Sequence, residues 1–178
     1  MRSPTHPNLS LVIRTFTILA MAALCVPALA QGKKADNDTE QWRYELEAVK
    51  TGIVGTYQVK VWSYSENATV ATEQAKKNAV HGVIFRGFTG NGRVPGQNAL
   101  AGNTNLEQAH ADFFKSFFAD GGKYLKFVSL TNSGMIAEGD RQKVGKEYKV
   151  GVIVSVDAAN LRKDLEAAGI IKGLSSGF

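Results

Sequence analysis

YKVGVIVSV, residues 148 to 156, places Tyr148, Val150, Val152, Val154 and Val156 at every second position. Successive side chains on a strand point to opposite faces, so this spacing predicts a strand with one apolar face. The next residue, Asp157, is a good helix cap. Leu161, Leu165 and Ala168 then follow at helical spacing until Gly169, which predicts a closing helix.

The same alternation occurs twice near the start. In YQVKVWSYS, residues 57 to 65, Tyr57, Val59 and Val61 oppose Gln58, Lys60 and Trp62. Before it, Trp42, Tyr44, Leu46 and Ala48 oppose Arg43, Glu45 and Glu47. The glycine-containing turn Thr51–Gly55 joins them, which predicts an antiparallel hairpin with Lys60 across from Glu45 or Glu47.

From Thr69 the period changes. Ala71, Ala75 and Ala79, with Val80, Val83 and Ile84, predict an amphipathic helix carrying a Glu73–Lys77 pair. Gly82 inside it marks either a close approach to the sheet or an early end. A second helix is expected from Asn105, burying Phe113, Phe114, Phe117 and Phe118 and stopped by Asp120-Gly-Gly122. Tyr124–Ser129 is expected to be a third strand and residues 134–145 a polar connection, with Glu138-Gly-Asp140 at a solvated tip. The order ββααββα predicts an α+β fold: an antiparallel sheet of about four strands with helices packed on one face.

Between the first two helices lies RGFTGNGRVPGQNALAGNTN, residues 86 to 105. A phosphate loop needs its glycines between a strand and the helix whose N–H groups it presents, and here they follow a helix. The glycine order also differs from a dinucleotide fingerprint. Long connections in compact domains are functional or mobile. On the functional reading, Arg86, Phe88, Arg93, Asn98 and Asn103 form a lip that contacts a partner. Trp62 and Tyr64 are further partner-binding candidates: helices on the valine face would leave both exposed, and exposed aromatics are enriched at interfaces.

The N-terminus reads as a secretory signal. Arg2 and Arg14 precede the apolar run Phe16–Val26, and Ala28-Leu-Ala30 supplies a small-residue cleavage site before Gln31. The run is too short to span about 30 Å of hydrocarbon. Residues 1–30 are therefore expected to be removed, 31–40 to be a flexible start, and 41–178 to form one domain. Leu24 before Cys25 is a poor lipobox, so Cys25 reads as part of the apolar run. The mature chain then has no cysteine, which excludes disulfides and thiol chemistry there. Without Arg2 and Arg14 the 21 basic residues become 19 against 16 acidic, a net of +3 with no basic stripe for nucleic acid.

Catalytic and metal-binding patterns are lacking. His81 and His110 have no zinc-ligand spacing, no G-x-S-x-G is present, and Glu138 with Asp140 offers too few oxygens for calcium. No cofactor is expected. Asn67-Ala-Thr69 is both a glycosylation sequon and a helix start.

The hairpin ending YQVKVWSYS, the helix ATEQAKKNAV and the closing YKVGVIVSVDAANLRKDLEAAG resemble small exported bacterial α+β domains. These are grouped around the amino-terminal domain of the flagellar protein FlgT and related surface lipoproteins. The resemblance implies a non-catalytic envelope or assembly module of the periplasm or cell envelope, partnered by an envelope protein or polymer. The long Gly/Asn insert departs from that pattern. The alternative is a small-molecule or glycan-binding protein, or a hydrolase, using the 87–105 loop with His110 and Asp112.

Overall fold

The computed structural model of the chain describes residues 42–53, 55–103 and 105–173. The expected signal peptide with Cys25, and the segment 31–40, lie outside them. Strands β1 (Tyr44–Thr51) and β2 (Thr56–Ser65) form the expected hairpin, with Leu46 across from Val61 and Glu47 across from Lys60. β1 starts two residues late because Trp42 takes a positive φ of 45° and leaves the strand path.

Helix α1 (Ala68–Phe85) follows. Its cap is Asn67, whose Oδ1 accepts the N–H of Thr69 at 2.8 Å, so the sequon serves as a helix start. The expected Glu73–Lys77 pair does not form. Glu73 meets Lys76 at 3.5 Å, while Lys77 is buried with its ammonium 5.9 Å from the Tyr124 ring centre.

The expected second helix is interrupted at His110, giving α2 (Leu106–Ala109) and α3 (Ala111–Phe117). Phe114, Phe117 and Phe118 are buried and Phe113 packs beside them. Tyr124–Ser129 is a strand only at its end: Lys123–Phe127 is a 3-10 helix that buries Tyr124 and Phe127, three apart, and β3 is Val128–Leu130. The expected polar connection also contains structure. Glu138–Asp140 is a 3-10 turn, and β4 (Arg141–Val144) pairs with β5 (Glu147–Asp157). Asp140 is no solvated tip, since its Oδ1 takes Lys60 Nζ at 2.8 Å. Helix α4 (Ala158–Ala167) is capped by Asp157, which accepts the N–H of Asn160 at 3.0 Å.

The result is an α+β fold. Among the described residues the antiparallel sheet has five strands, in the order β1-β2-β5-β3, with β4 also on β5. Val59 faces Val154 and Val61 faces Val152, and α1 lies on this face. Val150, Val152, Val154 and Val156 join Phe117, Leu161 and Leu165 in one apolar cluster. Each fully buried valine contributes about 1.5–3 kcal/mol, so this face is the main source of stability. No helix among the described residues is long and apolar enough to cross a membrane.

Candidate binding site

Gly82 brings α1 against β1. A Cβ there would overlap Cδ1 of Leu46 and stand 3.2 Å from Cε2 of Tyr44. The neighbouring His81 is thereby held with Nδ1 2.6 Å from the Tyr44 hydroxyl. Its Nε2 lies 3.2 Å from each carboxylate oxygen of Glu107, at the start of α2. An ionised carboxylate only accepts, so Nε2 carries the ring proton and Nδ1 accepts from Tyr44.

Aromatic rings enclose this row. The Trp42 indole stacks on His81 with centroids 3.6 Å apart and planes 18° from parallel, while Phe85 and Phe118 approach to 4.8 and 5.9 Å. A positive φ is unusual for a bulky residue. At Trp42 it is held by the stack and by Arg86, whose Nη2 donates to the Trp42 carbonyl at 3.0 Å.

The row is electrostatically consistent. Burial lowers the pKa of His81, against the hydrogen bond and charge of Glu107. The His81 hydrogen bond lowers Glu107, outweighing its desolvation. Burial pushes the Tyr44 phenol well above its ordinary range, with Arg86 opposing. Neutral imidazole, ionised carboxylate and protonated phenol therefore coexist at neutral pH. A phenol held so firmly protonated makes a poor nucleophile. The row ties β1, α1 and α2 together.

Arg86 closes α1 and opens the Gly/Asn segment. Its guanidinium stacks over the Tyr44 ring, with Cζ 4.3 Å from the centroid. The segment beyond it is built as a small ladder. Phe88 and Gln97 exchange backbone hydrogen bonds at 2.9 Å, Tyr57 Oη donates to Gln97 Oε1 at 2.5 Å, and the Phe88 ring meets Tyr57 edge-on. Asn91 Nδ2 donates to the Ala48 carbonyl of β1 at 2.6 Å. At the far end the N–H groups of Leu100 and Ala101 return to the carbonyls of Val83 and Ile84, capping α1.

Between this ladder and β1 lies a cleft of about 350 Å³ lined by Tyr44, Leu46, Arg86, Phe88, Thr89 and Asn98, among others. Three of the residues singled out from sequence, Arg86, Phe88 and Asn98, thus meet at one site. Phe88 is largely buried there, so it forms the wall more than the lip. Arg93 is exposed in the turn between Asn91 and Val94. Asn103 lines a separate cavity of about 650 Å³ with Leu106, Ile170 and Ile171.

Trp62 and Tyr64 lie on the opposite face of the sheet. The helices do cover the valine face, yet Trp62 is only 9% exposed and Tyr64 is half-buried. Long side chains fold over the indole: the ammonium groups of Lys60 and Lys149 sit 5.4 and 5.0 Å from its ring centre, and Nε1 donates to Glu47 at 2.8 Å. Tyr64 donates to Glu45 at 2.7 Å. Their expected exposure fails because charged residues with apolar stems shield them.

His110 sits at the junction of α2 and α3 and Asp112 is exposed; neither lines the cleft. Tyr44, Gln97 and Glu107 were not foreseen as site residues. The available signal was a histidine beside a mid-helix glycine facing a strand tyrosine. No family model, curated protein or solved structure matches the chain.

Proposed function

We propose that the protein is an exported, non-catalytic module of the bacterial cell envelope that binds an envelope polymer in the cleft beside Arg86. The observation that carries this reading is the cleft itself: a polar recess with one cationic side chain, walled by a segment tied to β1 by the Asn91 side chain and to α1 by its backbone. Pre-formed recesses with a few convergent polar groups are the common form of a ligand site. Export rests on the leader pattern of residues 1–30, and the envelope on the resemblance to FlgT-type domains. Burial keeps the phenol of the Tyr44–His81–Glu107 row protonated, so the row offers no phenolate nucleophile at neutral pH. A protein partner held through Trp62 is the weaker reading, since that indole is covered. A discrete small molecule is the second reading, favoured by the modest size of the cleft.

Co-sedimentation with insoluble envelope polymer tests the proposal. The wild-type protein should pellet, Arg86→Ala and Asn98→Ala should remain in solution, and Trp62→Phe should behave as wild type. Asn98 is exposed, so its variant should keep the fold. Equal pelleting of all four proteins, or release of soluble polymer fragments, would overturn the reading.

A further inference from the structure

Resting on that reading of the cleft, we infer that its ligand carries a carboxylate, received by the guanidinium of Arg86. Among the described residues Arg86 is the one charged side chain in the lining, with no acid beside it there. It is exposed and enters no ion pair among the described residues. The acid that acts on it through space, Glu107, hydrogen-bonds His81 and makes no ion pair with Arg86. The fork is also pre-oriented: the Tyr44 ring covers one flat face, and the Trp42 carbonyl takes a single Nη2 hydrogen. The remaining N–H groups stay available for a planar, two-point acceptor, the geometry that arginine matches best.

Two further observations select a singly charged carboxylate over a phosphate. Arg86 stands at the C-terminal end of α1, where the helix dipole is negative and opposes a dianion. The terminal carbonyls of Gly82, Val83 and Ile84 are taken by backbone N–H groups of Arg86, Gly87, Leu100 and Ala101. That leaves the guanidinium charge unspent on the helix end, and one cation matches one negative charge. The side chains of Thr89 and Asn98 offer hydrogen bonds to neighbouring hydroxyl or amide groups. A volume of about 350 Å³ suits one sugar ring or one terminal amino acid. A uronic-acid residue of a glycan and a peptide C-terminus share this chemistry.

Amide chemical-shift titration of the purified protein separates the possibilities. The probes are glucuronate against glucose, N-acetylalanine against its amide, and inorganic phosphate. At least one acid should shift the amides of Arg86, Gly87, Thr89 and Asn98, at least tenfold more tightly than its neutral counterpart. Arg86→Gln should abolish that preference, and Arg86→Lys should restore it in part. A response to glucuronate alone identifies a glycan source, and a response to N-acetylalanine alone a peptide source. Glucose binding as tightly as glucuronate would overturn the carboxylate and leave the cleft reading intact, and so would tighter binding of phosphate. No response at the cleft amides to any probe would overturn both.

Discussion

The Trp62 indole lies over Gly151, its direct partner across β2 and β5: a Cβ at position 151 would stand 2.9 Å from Cζ3 and 3.1 Å from Cε3. The glycine makes room for the ring, and the ring covers backbone that the glycine leaves bare. Gly151→Ala should therefore cost about 1–3 kcal/mol by overpacking, despite the ordinary preference of strands for alanine over glycine. Denaturant titration measures it. An unchanged or raised stability would mean that the ring moves aside freely.

Gly82→Ala sets two effects against each other. Alanine favours the helix by about 1 kcal/mol, but overpacking costs about 1–3 kcal/mol. The second should win, because the new methyl would overlap Leu46 Cδ1. Shortening Leu46 to alanine removes that obstacle. The double variant should be more stable than the sum of the singles by at least about 0.5 kcal/mol. Simple additivity would show that α1 and β1 do not meet as described.

Acid should weaken the fold through His81 and Glu107. Both have folded pKa values below their ordinary 6.5 and 4.5, so the unfolded chain binds more protons as pH falls. The contribution of His81 is complete above about pH 6.5 and is lost progressively below it. That of Glu107 is complete above about pH 4.5 and is lost as pH falls through its lower folded value. Among the described residues the groups facing His81 are Tyr44, Arg86, Trp42, Phe85, Phe118 and Glu107, with no second acid to shelter its charged form. The denaturation midpoint should fall between pH 7.5 and 5.5, and His81→Gln should flatten that slope. Tyr44 acts oppositely: its raised pKa predicts lost stability as pH rises above about 10.

If the proposed export is right, mass spectrometry of the mature protein should find Gln31 at the N-terminus. A lipid on Cys25 would replace that reading with an anchored one.

The sheet was largely legible because β2 and β5 have one face covered, which writes a two-residue period into YQVKVWSYS and YKVGVIVSV. Lys123–Phe127 misled because Tyr124 and Phe127 obey a three-residue period over too few residues to stand out. β4 left no trace, since all four of its residues are exposed and no apolar alternation is required. The break at His110 has no glycine or proline to announce it. At the site, the start of the loop was legible in Arg86. The His81 row was not, because its partners lie 37 residues before and 26 after it, beyond any local spacing.

Asn91 has a consequence beyond the cleft. Among the described residues β1 ends the sheet, and an end strand offers open backbone groups on which another chain can pair, chain after chain, into a fibril. Here the amide of Asn91 occupies the Ala48 carbonyl, and the pairing of β1 with β2 shifts register at the same place, between Ala48 and Lys50. On the far side β4 presents Arg141 and Lys143, whose like charges would repel a second copy. The Gly/Asn segment thus doubles as a guard against self-templated growth, and Asn91→Ala should make the protein fibrillise sooner.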